Sequence, residues 1–91
     1  NILDTLGVVY FVLVRNDEAQ KIFEKALAAS AVPAEKVPVM LHLAELKFKL
    51  KEKAKADEYL EQMQRQIALD PRIAKLHAGE IDRVRRLSNA P

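Results

Sequence analysis

Apolar residues recur at helical spacing along most of this chain. Ala19, Ile22, Phe23, Ala26 and Leu27 follow one another by three, one, three and one, which marks one face of a helix ending near Ser30. Met40, Leu43, Ala44, Leu46 and Leu50 form a broader stripe that predicts a helix over roughly 38–50. Ala56, Tyr59, Leu60, Met63 and Ile67 predict another over roughly 54–69. A last arc, Ile73, Leu76, Ile81, Val84 and Leu87, predicts one continuous helix ending near Ser88, with Arg72, Lys75, Asp82, Arg83, Arg85 and Arg86 opposite it. Residues 2–14 also read as helix, although Val8, Val9 and Val12 favour strands as well.

The breaks between these stripes have their own chemistry. Asn16 reads as an N-cap, with Asp17 and Glu18 placed to complement the helix dipole. Ser30–Pro38 carries prolines at 33 and 38 and reads as a loop with room for one extra helical turn. The break near Lys51–Lys53 contains neither glycine nor proline, so the pattern does not fix its position. Asp70-Pro71 is a clear restart, with Asp70 as N-cap and Pro71 at the first helical position.

The stripes are self-similar. Leu6, Gly7 and Tyr10, followed by Ala19, Phe23 and Ala26, return 37 residues later in weaker form. The second copy has Leu43, Ala44 and Phe48 (one place late), then Ala56, Leu60 and Met63. A period of this size marks stacked helical hairpins. The pattern resembles the tetratricopeptide repeat (TPR) family, whose first helix carries Leu-Gly-x-x-Tyr and whose second carries spaced Ala, Phe and Ala. Asn16-Asp17-Glu18-Ala19 is similar to the family's usual start of that second helix. Small Gly7 and Ala19 would admit close helix approach, with Tyr10 and Phe23 filling the space beside it.

Departures remain: Leu3 stands where the family prefers Trp, the closing proline is displaced to Pro33, and Lys47 takes the second tyrosine position. Lys47 would pack its stem and snorkel its ammonium outward. The expected fold is all-α, an α-solenoid of five helices. Residues 1–33 and 34–70 would form two TPR helix-turn-helix repeats, and 71–91 a polar capping helix and tail, since a terminal repeat needs a solvated outer face.

Composition bounds the function. The 91 residues are 49% hydrophobic and 31% charged, suited to one small folded helical domain rather than disorder. The absence of cysteine removes disulfides and thiolate metal sites. A net charge of +2 does not by itself point to nucleic acid or an acidic membrane. The longest apolar run, Gly7–Val14, falls short of the ~18 residues a membrane span needs. The start at Asn1, inside a hydrophobic segment, reads as a cut from a longer protein.

The first helix is the chief functional clue, because only Asp4, Thr5 and Arg15 interrupt its apolar surface. The TPR resemblance implies that Asp4, Val8, Phe11 and Val12 face a concave groove beside Leu41, Glu45, Phe48 and Lys49. Such a groove suits an apolar or helical segment of a protein partner, and the first helix alternatively self-associates into a homo-oligomer. A competing structural reading has Val8, Phe11 and Val12 covering an upstream repeat, or lying under the last helix, in a chain that serves only as a C-terminal cap. The family's carboxylate-clamping class uses Lys, Asn and Arg in the region where Asp4, Val8, Leu41 and Glu45 stand, so that activity is not expected.

Two His-x-x-Glu pairs, His42/Glu45 and His77/Glu80, share helix faces, but His42 is placed with Lys49 on a charged face and His77 on an apolar one. No metal and no cofactor is expected from them. Arg83, Arg85 and Arg86 lack interleaved aromatics and are diluted by Glu80 and Asp82, so a solvated face is preferred over a nucleic-acid site. No catalytic triad, phosphate loop or paired carboxylates in a cleft are legible. A non-catalytic scaffold is the expectation.

Overall fold

A computed structural model describes residues 15–89. These residues form α1 (Asn16–Ala29), α2 (Pro33–Lys49), α3 (Lys53–Leu69), α4 (Arg72–Leu76) and α5 (Ala78–Ser88), with no strand among them. The fold of the described residues is all-α. The expected first helix, 2–14, lies outside them.

Three boundaries differ from the expectation. First, α2 begins at Pro33 rather than near residue 38. Pro33 stands at the start of the helix, where its fixed φ is preorganised and its missing N–H costs nothing. Val32 before it is extended, at φ −127° and ψ 157°. Pro38 is then tolerated inside the helix. The carbonyl deprived of a donor belongs to Ala34, which is exposed and open to water.

Second, the expected last helix is broken at His77 (φ −118°, ψ 19°) into α4 and α5. Ile73, Ile81 and Val84 remain buried, but Leu76 is 76% exposed and leaves the expected apolar arc. Third, Asn16 is the first residue of α1 rather than its N-cap. The Ala19 N–H already bonds the Arg15 carbonyl at 3.0 Å, and the buried Asn16 Oδ1 has no hydrogen-bond partner among the described residues.

The restart falls one residue later than expected, with Pro71 rather than Asp70 at the N-cap position of α4, although Asp70 still reaches its first turn. Asp70 Oδ1 accepts from the Arg72 backbone N–H at 3.4 Å and from Arg72 Nε at 2.9 Å, and Pro71 is already in the helical region at φ −61°. The ambiguous break after α2 closes through a left-handed Lys51, at φ 61°. Glu52 N–H reaches the Lys47 carbonyl at 2.8 Å, and Lys51 N–H reaches that of Phe48 at 3.0 Å. This pair of bonds is the Schellman closure, here made without the usual glycine.

The core is organised around α2, against which all the other helices pack. Its side chains divide into two seams. Val39, Leu43 and Leu46 are buried with Ala19, Phe23 and Ala26 of α1. Val37, Met40, Leu41 and Ala44 are buried with Met63 of α3, Ile73 of α4, and Ile81 and Val84 of α5. A helix apolar on two sides needs cover on both, and α2 receives it.

Candidate interaction surface

The predicted groove residues of α2 lie close together, and most are already covered by the chain itself. Leu41 is 1% exposed and belongs to the second core seam, so its expected place on an open groove is corrected. Burying Ile81 and Val84 in that seam requires α5 to lie against α2.

Glu45 follows from the same contact. Both of its carboxylate oxygens accept from the Arg83 guanidinium, with Nη2 to Oε2 at 3.1 Å. In return, the carboxylate raises the Arg83 guanidinium further above its ordinary range. Phe48 is half-buried against the second seam, whereas Lys49 is exposed. Asp4, Val8, Phe11 and Val12 lie outside the described residues.

Two polar residues of α2 make contacts that the sequence pattern did not predict. Lys47 does not snorkel to solvent: it is 5% exposed. Its Nζ donates to Gln20 Oε1 at 3.0 Å and to Glu52 Oε2 at 3.3 Å, which links α1 to the turn after α2. The Schellman turn brings Glu52 back beside Lys47, a proximity that a linear reading of residues 47–53 misses. His42 is half-buried and stacks on Phe23, with ring centroids 5.2 Å apart, a contact that its charged-face placement did not foretell. No group of three or more potential metal ligands occurs among the described residues.

The outer side of α5 is polar, with Glu80, Asp82, Arg83, Arg85 and Arg86 all exposed. Its far end is tied to α3 by Ser88, whose Oγ donates to Asp57 Oδ1 at 2.7 Å. Lys53 Nζ donates to the other oxygen of Asp57 at 2.8 Å. Lys53 first, and Ser88 second, hold the Asp57 carboxyl below its ordinary value.

An exposed apolar corner was not anticipated by the hydrophobic pattern. Leu69 is 73% exposed and Leu76 76% exposed, on either side of Asp70-Pro71. Near them a cleft of about 210 Å³ is lined by Gln64, Ile67, Ala74, Ala78, Ile81, Asp82 and Arg85. The signal available in the sequence was the clash between an Asp-Pro helix restart and an apolar stripe running through it. No helix among the described residues is long and apolar enough to cross a membrane.

No family model, curated protein or solved structure matches this chain.

Proposed function

We propose that this chain is a TPR-like helical-repeat module whose role is non-catalytic protein–protein contact. The observation that supports the repeat reading is the burial of its small positions. Ala19, Ala26, Ala44 and Ala56 are all 0% exposed, as is Phe23, and these are the positions that the repeat pattern reserves for close helix approach. Residues used in this way maintain a scaffold, which leaves function to what surrounds them.

With Leu41 buried and Glu45 engaged by Arg83, the contact falls to the apolar positions of residues 1–14, namely Val8, Phe11 and Val12. A partner of matching chemistry is an apolar or helical protein segment, or a second copy of the chain. Size-exclusion chromatography with light scattering, run on the wild type and on Val8→Glu/Phe11→Glu, tests self-association. Oligomers that the double variant abolishes, with helical content retained, are expected. A wild type that stays monomeric at high concentration rules self-association out and leaves the hetero-partner form to capture experiments with the same variant.

The polar outer side of α5 favours a second reading, a solvating cap on a longer helical array. Under that reading, deleting these residues from a parent protein lowers its stability and removes no specific contact.

A further inference from the structure

We propose that Ser88 is a phosphorylation site for a basophilic serine/threonine kinase, and that the phosphate releases α5 from the core. The inference is independent of the proposed function. It rests on the charged residues before Ser88 and on the groups its hydroxyl touches.

Arg85 and Arg86 stand three and two residues before Ser88, and both are exposed. Kinases with an acidic substrate groove select their serine by arginines at such positions, through charge complementarity. Among the described residues, Arg86 is bound to Asp82, one turn back at 2.6 Å, with its side chain 79% exposed. A pair so solvated holds weakly and yields to a competing carboxylate. Ser88 closes the last turn of α5, and the innermost anchor, Val84, lies one turn earlier. Presenting Arg85–Ser88 in extended form therefore needs only the terminal turn to fray, among the cheapest local openings a fold offers.

The chain contains one other serine. Ser30 is 8% exposed, donates to the Ala26 carbonyl at 2.7 Å and has no arginine two or three residues before it, which makes it an internal control.

In the transfer step, Ser88 Oγ attacks the γ-phosphorus of MgATP. The new O–P bond forms as the bond to the β,γ-bridging oxygen breaks, and ADP leaves with that electron pair. The hydroxyl proton passes to the catalytic carboxylate of the kinase.

The consequence follows from local charge. In the unmodified chain, Ser88 donates a hydrogen bond to Asp57, and Lys53 pairs with that carboxylate. The phosphate removes the donor and places about two negative charges on its terminal oxygens, next to Asp57 and at the C-terminal end of a helix. Repulsion from Asp57 and from the helix dipole then act in the same direction. Lys53 offers one positive charge, already engaged by Asp57, with its side chain 61% exposed.

The test incubates the 91-residue chain with MgATP and the catalytic subunit of cAMP-dependent protein kinase, followed by phosphosite mapping and hydrogen exchange. One phosphoryl group, on Ser88, is expected, and Arg85→Ala/Arg86→Ala should slow its incorporation at least about tenfold. Amide exchange across Ile81–Leu87 should accelerate at least about tenfold in the phosphorylated chain, while the α1–α2 seam keeps its protection. Ser88→Ala reports the loss of the hydrogen bond alone and should change exchange less. Asp57→Asn, which keeps an acceptor but loses the charge, should restore part of the protection of the phosphorylated form. A chain left unmodified, whether or not a peptide of residues 82–91 is modified, overturns the site. Unchanged or slower exchange in α5 after modification, as when Lys53 captures the phosphate, overturns the release.

Discussion

The two sides of α2 are sealed by different means. Toward α1 the seam contains Ala19, Phe23, Ala26, Val39, Leu43 and Leu46, each 0% exposed. Toward α5 the helix contributes two buried side chains, Ile81 and Val84, and the rest of the attachment is polar: Arg83 to Glu45 and Ser88 to Asp57. Apolar burial is worth ~25 cal/mol per Å² and is not screened by salt, whereas a solvated ion pair is worth up to ~1 kcal/mol and is screened. The first seam is therefore the structural foundation, and the second is the one that charge can open. Ser88 sits at the second.

Phe23→Ala gives the strongest test of that contrast. Phe23 is fully buried and also carries the stacking contact with His42, so its truncation leaves a cavity between two helices. A loss of ~3–5 kcal/mol is expected, read as a lower urea midpoint at unchanged slope. A loss below ~1 kcal/mol would mean that the first seam is not the foundation described.

Much of this seam was legible in the sequence, for a physical reason. Ala19, Phe23 and Ala26 recur at helical spacing, and burial of one face is what that spacing encodes. The all-α fold and the boundaries of α3 were legible on the same basis. The double burial of α2 was less so. Val37 and Val39 lie ahead of or beside Pro38, and the proline suggested a loop where the chain is already helical. The candidate surface was legible least of all. Whether Leu41 faces water depends on where α5 lies, some 40 residues on, and no local pattern carries that information. Lys47 makes the same point: its partners Gln20 and Glu52 come from another helix and from a turn closed by a left-handed lysine.

Ile81→Ala probes the apolar part of the second seam. Ile81 is 5% exposed and lies on a helix with few other anchors. The expected loss is ~2 kcal/mol, at the low end for such truncations, because α5 can settle toward the gap. The distinguishing result is its location. Exchange should speed up across α5 first, with α1 and α2 retaining protection until global unfolding. Equal acceleration in all the helices would merge the two seams into one cooperative unit.

The Arg83–Glu45 pair should give the smallest effect and the finest distinction. The Arg83 side chain is 55% exposed and that of Glu45 20%, so the pair is neither free in solvent nor sealed. A double-mutant cycle with Arg83→Ala and Glu45→Ala should yield a coupling of ~0.2–1 kcal/mol, since water screens the guanidinium while two parallel hydrogen bonds fix its geometry. The coupling should shrink as salt is raised toward ~1 M, where the Debye length falls to ~3 Å. Phe23→Ala should show no comparable salt dependence, because the contacts it removes are apolar and aromatic. If the coupling instead exceeds ~2 kcal/mol and ignores salt, the ion pair behaves as a buried one, and α5 is a fixed part of the core that a surface charge cannot lift.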